Sequence, residues 1–210
     1  MMLRRGFFIT LEGPEGSGKS SQARALVRSL RRRGYPVVFA RDPGSTPLGR
    51  QLRRVLLHAQ VGAMDPLMEA LLFIGGRVQL VDQVIRPALR RRQVVVCDRF
   101  HDATVAYQGY GGRLDVAWLD RLGRRAIHAV MPQLTILLDV PTARGFARLR
   151  RAPDRMERKA RAFHRRVRSG YRRLARREPR RMVVVDARRS SAGIRREIND
   201  VVMARLTRHH

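Results

Sequence analysis

Apolar residues recur in this chain with two different spacings. Five short, nearly continuous apolar runs, Phe7-Phe8-Ile9-Thr10-Leu11, Pro36 to Ala40, Gln93 to Cys97, Gln133 to Asp139 and Met182 to Asp186, read as strands buried on both faces. Between them the period lengthens. Ser20 to Arg33 carries Ala23, Leu26, Val27 and Leu30 at helical intervals and stops at Gly34, and further helices are expected over Leu48 to His58, most of Pro66 to Arg91, Val116 to Ala129 and Ala192 to Leu206. Gly75-Gly76 is expected to weaken the long helix it interrupts. Strands that alternate with helices predict an α/β fold, three α/β/α layers around a five-stranded parallel sheet joined by right-handed crossovers, with ligands beyond the strand carboxyl ends. A length of 210 residues suits one domain with a sizeable core.

The link from the first strand to the first helix is Gly13-Pro14-Glu15-Gly16-Ser17-Gly18-Lys19-Ser20, a full G-x-x-x-x-G-K-[ST] match in the strand–loop–helix context the motif requires. Gly13, Gly16 and Gly18 let backbone N–H groups converge on phosphate oxygens, and the helix directs its positive end at the same anion. A P-loop NTPase fold and a bound nucleoside triphosphate are therefore expected, with Ser17 and Ser21 in the cradle, Lys19 on the transferring phosphoryl group and Ser20 on Mg²⁺. Of the 45 basic residues only Lys19 and Lys159 are lysine. The motif position thus keeps a compact ammonium where a planar guanidinium would fit poorly.

The formal net charge of +28 raises the question of a nucleic-acid partner. Residues 144 to 181 hold 17 basic and three acidic residues, half of that excess, but only Phe163 and Tyr171 could stack on bases and the arginines recur at roughly helical spacing. A solvated arginine-rich helix face is favoured over polyanion or membrane-surface binding. One cysteine, Cys97, excludes a disulfide framework, no run is long enough to span a membrane, and the six histidines lack zinc-ligand spacing, so a cytoplasmic protein is expected.

Several ordered motifs carry a resemblance over nearly the whole length: Phe8 to Gly13 leading into the P-loop; Arg41-Asp42-Pro43-Gly44-Ser45-Thr46 with Leu48-Gly49 and Leu52-Arg53; Leu71-Leu72-Phe73 with Arg77 and Gln79; Asp98-Arg99-Phe100 with Ala106-Tyr107-Gln108-Gly109; and Asp154-Arg155-Met156-Glu157 with Phe163, Val167 and Tyr171. In this set the chain resembles the thymidylate kinase family of nucleoside monophosphate kinases. The resemblance implies phosphorylation of a deoxynucleoside monophosphate, dTMP before others, by ATP with Mg²⁺, and a homodimer packed through helices. A kinase with a shifted acceptor and a polyanion-binding P-loop NTPase are the competing readings.

The same resemblance implies individual roles. Phe73 stacks on the base; Arg77, Thr104 and Gln108 meet its polar edge; Tyr107 packs beneath the sugar; Glu15 binds the 3′-hydroxyl; Arg41, Arg53 and Arg99 neutralise the acceptor phosphate beside Pro43. Asp98 holds a water of the Mg²⁺ shell, and Asp186 and Ala187 border the adenine. Since Gly16 stands where a P-loop arginine would, the γ-phosphate cation must come from a lid within residues 144 to 181. Arg150, Arg151 and Arg155 are the candidates, with Arg155 favoured. Asp42, Ser45, Arg50, Gly76, Leu80 and Gln133 depart from the family pattern, which puts base selectivity in question more than kinase activity.

Overall fold

The computed structural model describes residues 3–58, 62–150 and 152–207. Its five strands, β1 (Phe7–Glu12), β2 (Val37–Arg41), β3 (Val94–Asp98), β4 (Leu134–Asp139) and β5 (Met182–Asp186), are all parallel in the order β2-β3-β1-β4-β5. Because β1 is central, the loop that follows it emerges in mid-sheet, where neighbouring strands can supply side chains from both sides. Register aligns Leu11 with Asp98 and Asp98 with Arg41, which sets an acid and a base together at the carboxyl edge.

Strand residues alternate between two apolar layers, as expected for a sheet covered on both faces. Phe7, Ile9 and Leu11 pack with Leu26 and Leu30 of α1 (Lys19–Arg32) and with Ile198 and Val202 of α9 (Ser191–Thr207). On the other face Phe8, Val95 and Cys97 meet Leu80, Val81 and Ile85, while Leu137 and Met182 meet Val167, Tyr171 and Leu174 of α8 (Arg161–Arg177). Gln133 Oε1 accepts from Phe8 N at 2.7 Å, so this departure from the family pattern still supplies the acceptor that starts the β1–β4 pairing.

Two helices lie over the carboxyl edge: α2 (Pro47–Leu57) and α3 (Pro66–Leu80), the latter continuing through a π-helical segment, Val81–Ile85, into α4 (Arg86–Arg90). The expected weakness at Gly75-Gly76 is not found. Helix α3 runs through both glycines, and a Cβ at Gly76 would come within 3.1 Å of Leu52 Cδ1, so the missing side chain lets α2 approach; the irregularity falls five residues later. A short α5 (His101–Thr104) passes into a second π-helical segment, Val105–Gly111, which packs against α8. Helix α6 (Val116–Ala126) lies beside α3, and α7 (Thr142–Ala147) precedes the segment that leads to α8. Among the described residues no helix is long and apolar enough to cross a membrane.

Candidate active site

The glycine loop leaves β1 at Glu12 and enters α1 at Lys19. At Gly13 (φ 148°) and Gly16 (φ 65°) a Cβ would lie 2.5 Å from Leu138 O and 1.8 Å from Gly145 O, so the loop backbone is pressed against β4 and α7. Buried Lys19 donates from Nζ to Pro14 O at 3.1 Å and stands 3.9 Å from the Glu15 carboxylate. Burial, reinforced by Arg99 and opposed by Glu15 and Asp98, pushes its ammonium down to about 8. Ser17 Oγ is buried without a partner in the structure. An orphaned hydroxyl beside a desolvated ammonium is the environment a phosphate oxygen satisfies.

Arg99 crosses the floor of the site with φ 69°, an unusual backbone state for a non-glycine residue. Its guanidinium donates to Gly13 O and Tyr171 Oη, both at 3.3 Å, to both Glu15 oxygens at 3.1 and 3.2 Å, and to Tyr107 Oη at 3.0 Å. Tyr107 in turn donates to Glu15 Oε1 at 2.5 Å. Burial alone would raise the Glu15 carboxyl, but Arg99, Lys19 and the Tyr107 hydroxyl outweigh it and hold it at about 2. Glu12 behaves oppositely: burial, with Asp102 reinforcing, raises it to about 8, even though Tyr171 Oη and Phe100 N both donate to it.

Arg41, Arg53 and Arg99 line the same cavity of about 400 Å³. Asp98 balances Arg41 at 3.2 Å, Arg53 donates to Pro43 O at 3.3 Å, and burial together with repulsion from Arg41 and Arg99 lowers the Arg53 pKa. Three guanidinium groups lining one cavity, with Arg53 destabilised by the other two, form a site for a multiply charged anion.

At the far end of the cavity stand Phe73, Arg77, Thr104 and Gln108. Arg77 is 1 % exposed; it donates from Nε to Asp42 Oδ2 at 2.5 Å and from Nη2 to Thr104 Oγ1 at 2.8 Å, and its guanidinium lies 5.5 Å from the Phe100 ring centroid. Its Nη1 is buried and unpartnered in the structure, and so is Asp42 Oδ1. Asp42, a departure in the family motif, therefore still reaches Arg77 with the shorter side chain. Gln108 donates from Nε2 to Glu69 Oε2 at 3.1 Å.

The structure thus gathers Glu15, Gly16, Gly18, Lys19, Ser20 and Ser21 with Asp98 and the ten residues expected for the acceptor around one cavity. Gly13 and Ser17, also expected in the cradle, are not among the residues that line it. Two placements differ from expectation, those of Arg155 and of the pair Asp186 and Ala187. Arg155 is not turned to the P-loop: its Nε donates to Leu56 O at 2.8 Å and its Nη1 to Glu69 Oε1 at 2.7 Å, because a buried carboxylate on α3 outcompetes the open cavity. Arg150 is exposed and has no side-chain partner among the described residues, and Arg151 lies outside them. Asp186 and Ala187 do not line the cavity; Asp186 is tied to Arg188, and the Ala187 carbonyl accepts from Arg148 at 2.9 Å, which links the start of the lid to the end of β5.

Glu12, Glu69, Met156 and Glu157 were not assigned to the site from sequence, although Glu69 precedes Phe73 by one helical turn. Among the described residues no group of three or more histidine, cysteine or carboxylate side chains could hold a metal. Ser20 and Asp98 would supply one hydroxyl and a carboxylate, a sparse oxygen set that suits Mg²⁺ completed by phosphate and water.

A family model described as thymidylate kinase matches residues 11–198. The chain is 44 % identical over 203 residues to the thymidylate kinase of an Exiguobacterium species, covering 96 % of each protein, and 47 % identical over 189 residues to that of Pelotomaculum thermopropionicum, covering 89 % of this chain and 88 % of the relative. The crystal structure of thymidylate kinase from Ehrlichia chaffeensis superposes with a TM-score of 0.77 at 34 % identity, over 94 % of this chain and 98 % of the other.

Proposed function

The chain belongs to the thymidylate kinase family, and we propose that the cavity beside its P-loop holds dTMP and ATP end to end. It is a nucleoside monophosphate kinase that converts dTMP and ATP to dTDP and ADP. The observation that supports the assignment of residues is that one cavity is lined by the P-loop ammonium, three guanidinium groups and an aromatic ring with polar neighbours.

Phosphoryl transfer asks the protein to align two anions and offset their charge. Lys19 and the loop amides hold the donor phosphates, while Arg41, Arg53 and Arg99 hold the acceptor phosphate. Tyr107, fixed between Glu15 and Arg99, fills the space beneath the sugar and disfavours a 2′-hydroxyl. Glu15, held ionised, accepts from the 3′-hydroxyl. Ser20 and Asp98 would hold Mg²⁺, which when bound would supply positive charge to offset that of the phosphates. Arg150 is our choice for the lid guanidinium, since Arg155 is committed to α2 and α3. Leu67, Met68 and Leu71 of α3 and Trp118 of α6 form an exposed apolar surface that supports a homodimer packed through these helices. A cytoplasmic location follows from nothing more than the family's chemistry and is part of the same proposal.

A coupled ADP-release assay across dTMP, dUMP, dCMP, dAMP and dGMP tests the assignment. Turnover should be greatest with dTMP; no acceptor raising ADP release above background would reject it.

A further inference from the structure

Glu69 lies one turn before Phe73 and two before Arg77, so the three side chains share a face of α3. It is 1 % exposed, yet its carboxylate receives three donors. Oε2 accepts from Gln108 Nε2 at 3.1 Å; Oε1 accepts from Arg155 Nη1 and Lys159 Nζ, each at 2.7 Å. One buried carboxylate therefore joins the acceptor end of the cavity to two cations of the segment between α7 and α8. Arg155 is fastened further, its backbone N donating to Leu57 O at 3.0 Å and its Nε to Leu56 O.

We propose that Glu69 is a positioning residue that sets the hydrogen-bonding polarity of the acceptor-base pocket while it anchors the far end of the lid. The inference deepens the acceptor reading above and rests on it. A carboxylate can only accept. The Gln108 amide must therefore turn its NH₂ group to Glu69, and what it can offer the cavity is its carbonyl oxygen. Nearby, Arg77 Nη1 is a buried donor without a partner. An acceptor and a donor beside the Phe73 ring match the imide edge of thymine or uracil, which presents an N–H next to a carbonyl. Cytosine presents a bare ring nitrogen next to an amino group, so each partner would face its own kind. Since sites built from buried polar groups discriminate strongly against a mismatched edge, Glu69 would exclude cytosine without touching it.

Glu69→Gln tests this at nearly constant volume. Arg155 and Lys159 both require an acceptor, so they keep the oxygen of the new amide and leave its NH₂ group facing Gln108, which must turn over. The ratio of kcat/KM for dTMP to that for dCMP should fall about tenfold or more, chiefly through a raised KM for dTMP and improved use of dCMP, with KM for ATP little changed. In Glu69→Gln combined with Gln108→Glu, the pair is exchanged, a carboxylate oxygen again faces the base, and discrimination should return. Lys159→Met leaves Glu69 paired with Arg155 and Gln108 and should keep the parent ratio. An unchanged ratio in Glu69→Gln, or a lost ratio in Lys159→Met, would overturn the proposal, the latter by making lid damage the cause. A parent protein that turns over no dTMP would instead remove the acceptor reading, and this inference with it.

Discussion

Arg77→Met removes one half of the ion pair that closes the base end of the cavity. Arg77 and Asp42 are 1 % and 3 % exposed, and their side chains meet at 2.5 Å. Truncating one member of such a pair leaves a buried charge uncompensated, which costs roughly 3–5 kcal/mol. Asp42 has an escape. Its carboxyl is already raised from 3.8 by burial, with Arg77 the main opposing influence, so losing Arg77 raises it further. A folded state that binds this proton more tightly than the unfolded chain is stabilised at low pH, and the stabilisation is lost as pH rises through the folded pKa. The deficit relative to the parent should therefore be larger at high pH and shrink on acidification, by up to about 1.4 kcal/mol per pH unit while Asp42 titrates. Adding Asp42→Asn should recover most of it at pH 8 and abolish its pH dependence. Urea unfolding of the parent, the single and the double variant at pH 6 and pH 8, followed by far-ultraviolet circular dichroism, reads both effects. A deficit equal at the two pH values, or a double variant less stable than Arg77→Met, would refute the reasoning.

Lys19 loses its proton near pH 8 in the free protein, and phosphate needs the ammonium, so calorimetric ATP affinity should be flat below pH 8 and weaken above it by up to about tenfold per unit; a flat profile to pH 10 would contradict the burial argument. Arg150→Ala should lower kcat about 10³-fold with KM for dTMP little changed, whereas Arg155→Ala should chiefly lower the thermal midpoint; the reverse pattern in steady-state and melting data would restore Arg155 to the γ-phosphate. Gly16→Ala should cost at least about 1–3 kcal/mol, since its Cβ would fall 1.8 Å from Gly145 O at a positive φ; a parent-like melting temperature would show that α7 yields freely.

The five strands and the P-loop were legible because each is a local signal: an apolar run, a glycine spacing, a lysine among arginines. The residues expected to bind the acceptor were picked out through ordered motifs, and the structure brings them to one cavity. What pattern could not supply was competition between partners. Arg155 sits in the most suggestive lid motif, yet its position depends on Glu69, 86 residues away in sequence, and on two α2 carbonyls. The double glycine resembled a weak point because helix propensity counts only local entropy, whereas Gly76 is occupied by the approach of Leu52. Thr104, Arg77 and Gln108 could have been solvated helix residues by sequence; each is at most 2 % exposed.

The contact between Gly16 and Gly145 links these points to the chemistry. Each glycine's absent side chain is occupied by the other strand of backbone, with Gly145 Cβ falling 2.2 Å from Glu15 O. An arginine at position 16 is thereby excluded by α7 itself, not merely missing. The transferring group still requires a cation beyond Lys19, and α7, pinned at one end by this contact and at the other by the Arg148–Ala187 bond, delivers the next exposed guanidinium at Arg150. From Arg155 onward the chain is fastened again to α2 and α3. Arg150 therefore lies between two fixed points of the described chain, the Arg148–Ala187 bond and the Arg155 contacts, and delivering its guanidinium to the phosphates asks for no movement of α7 or α8.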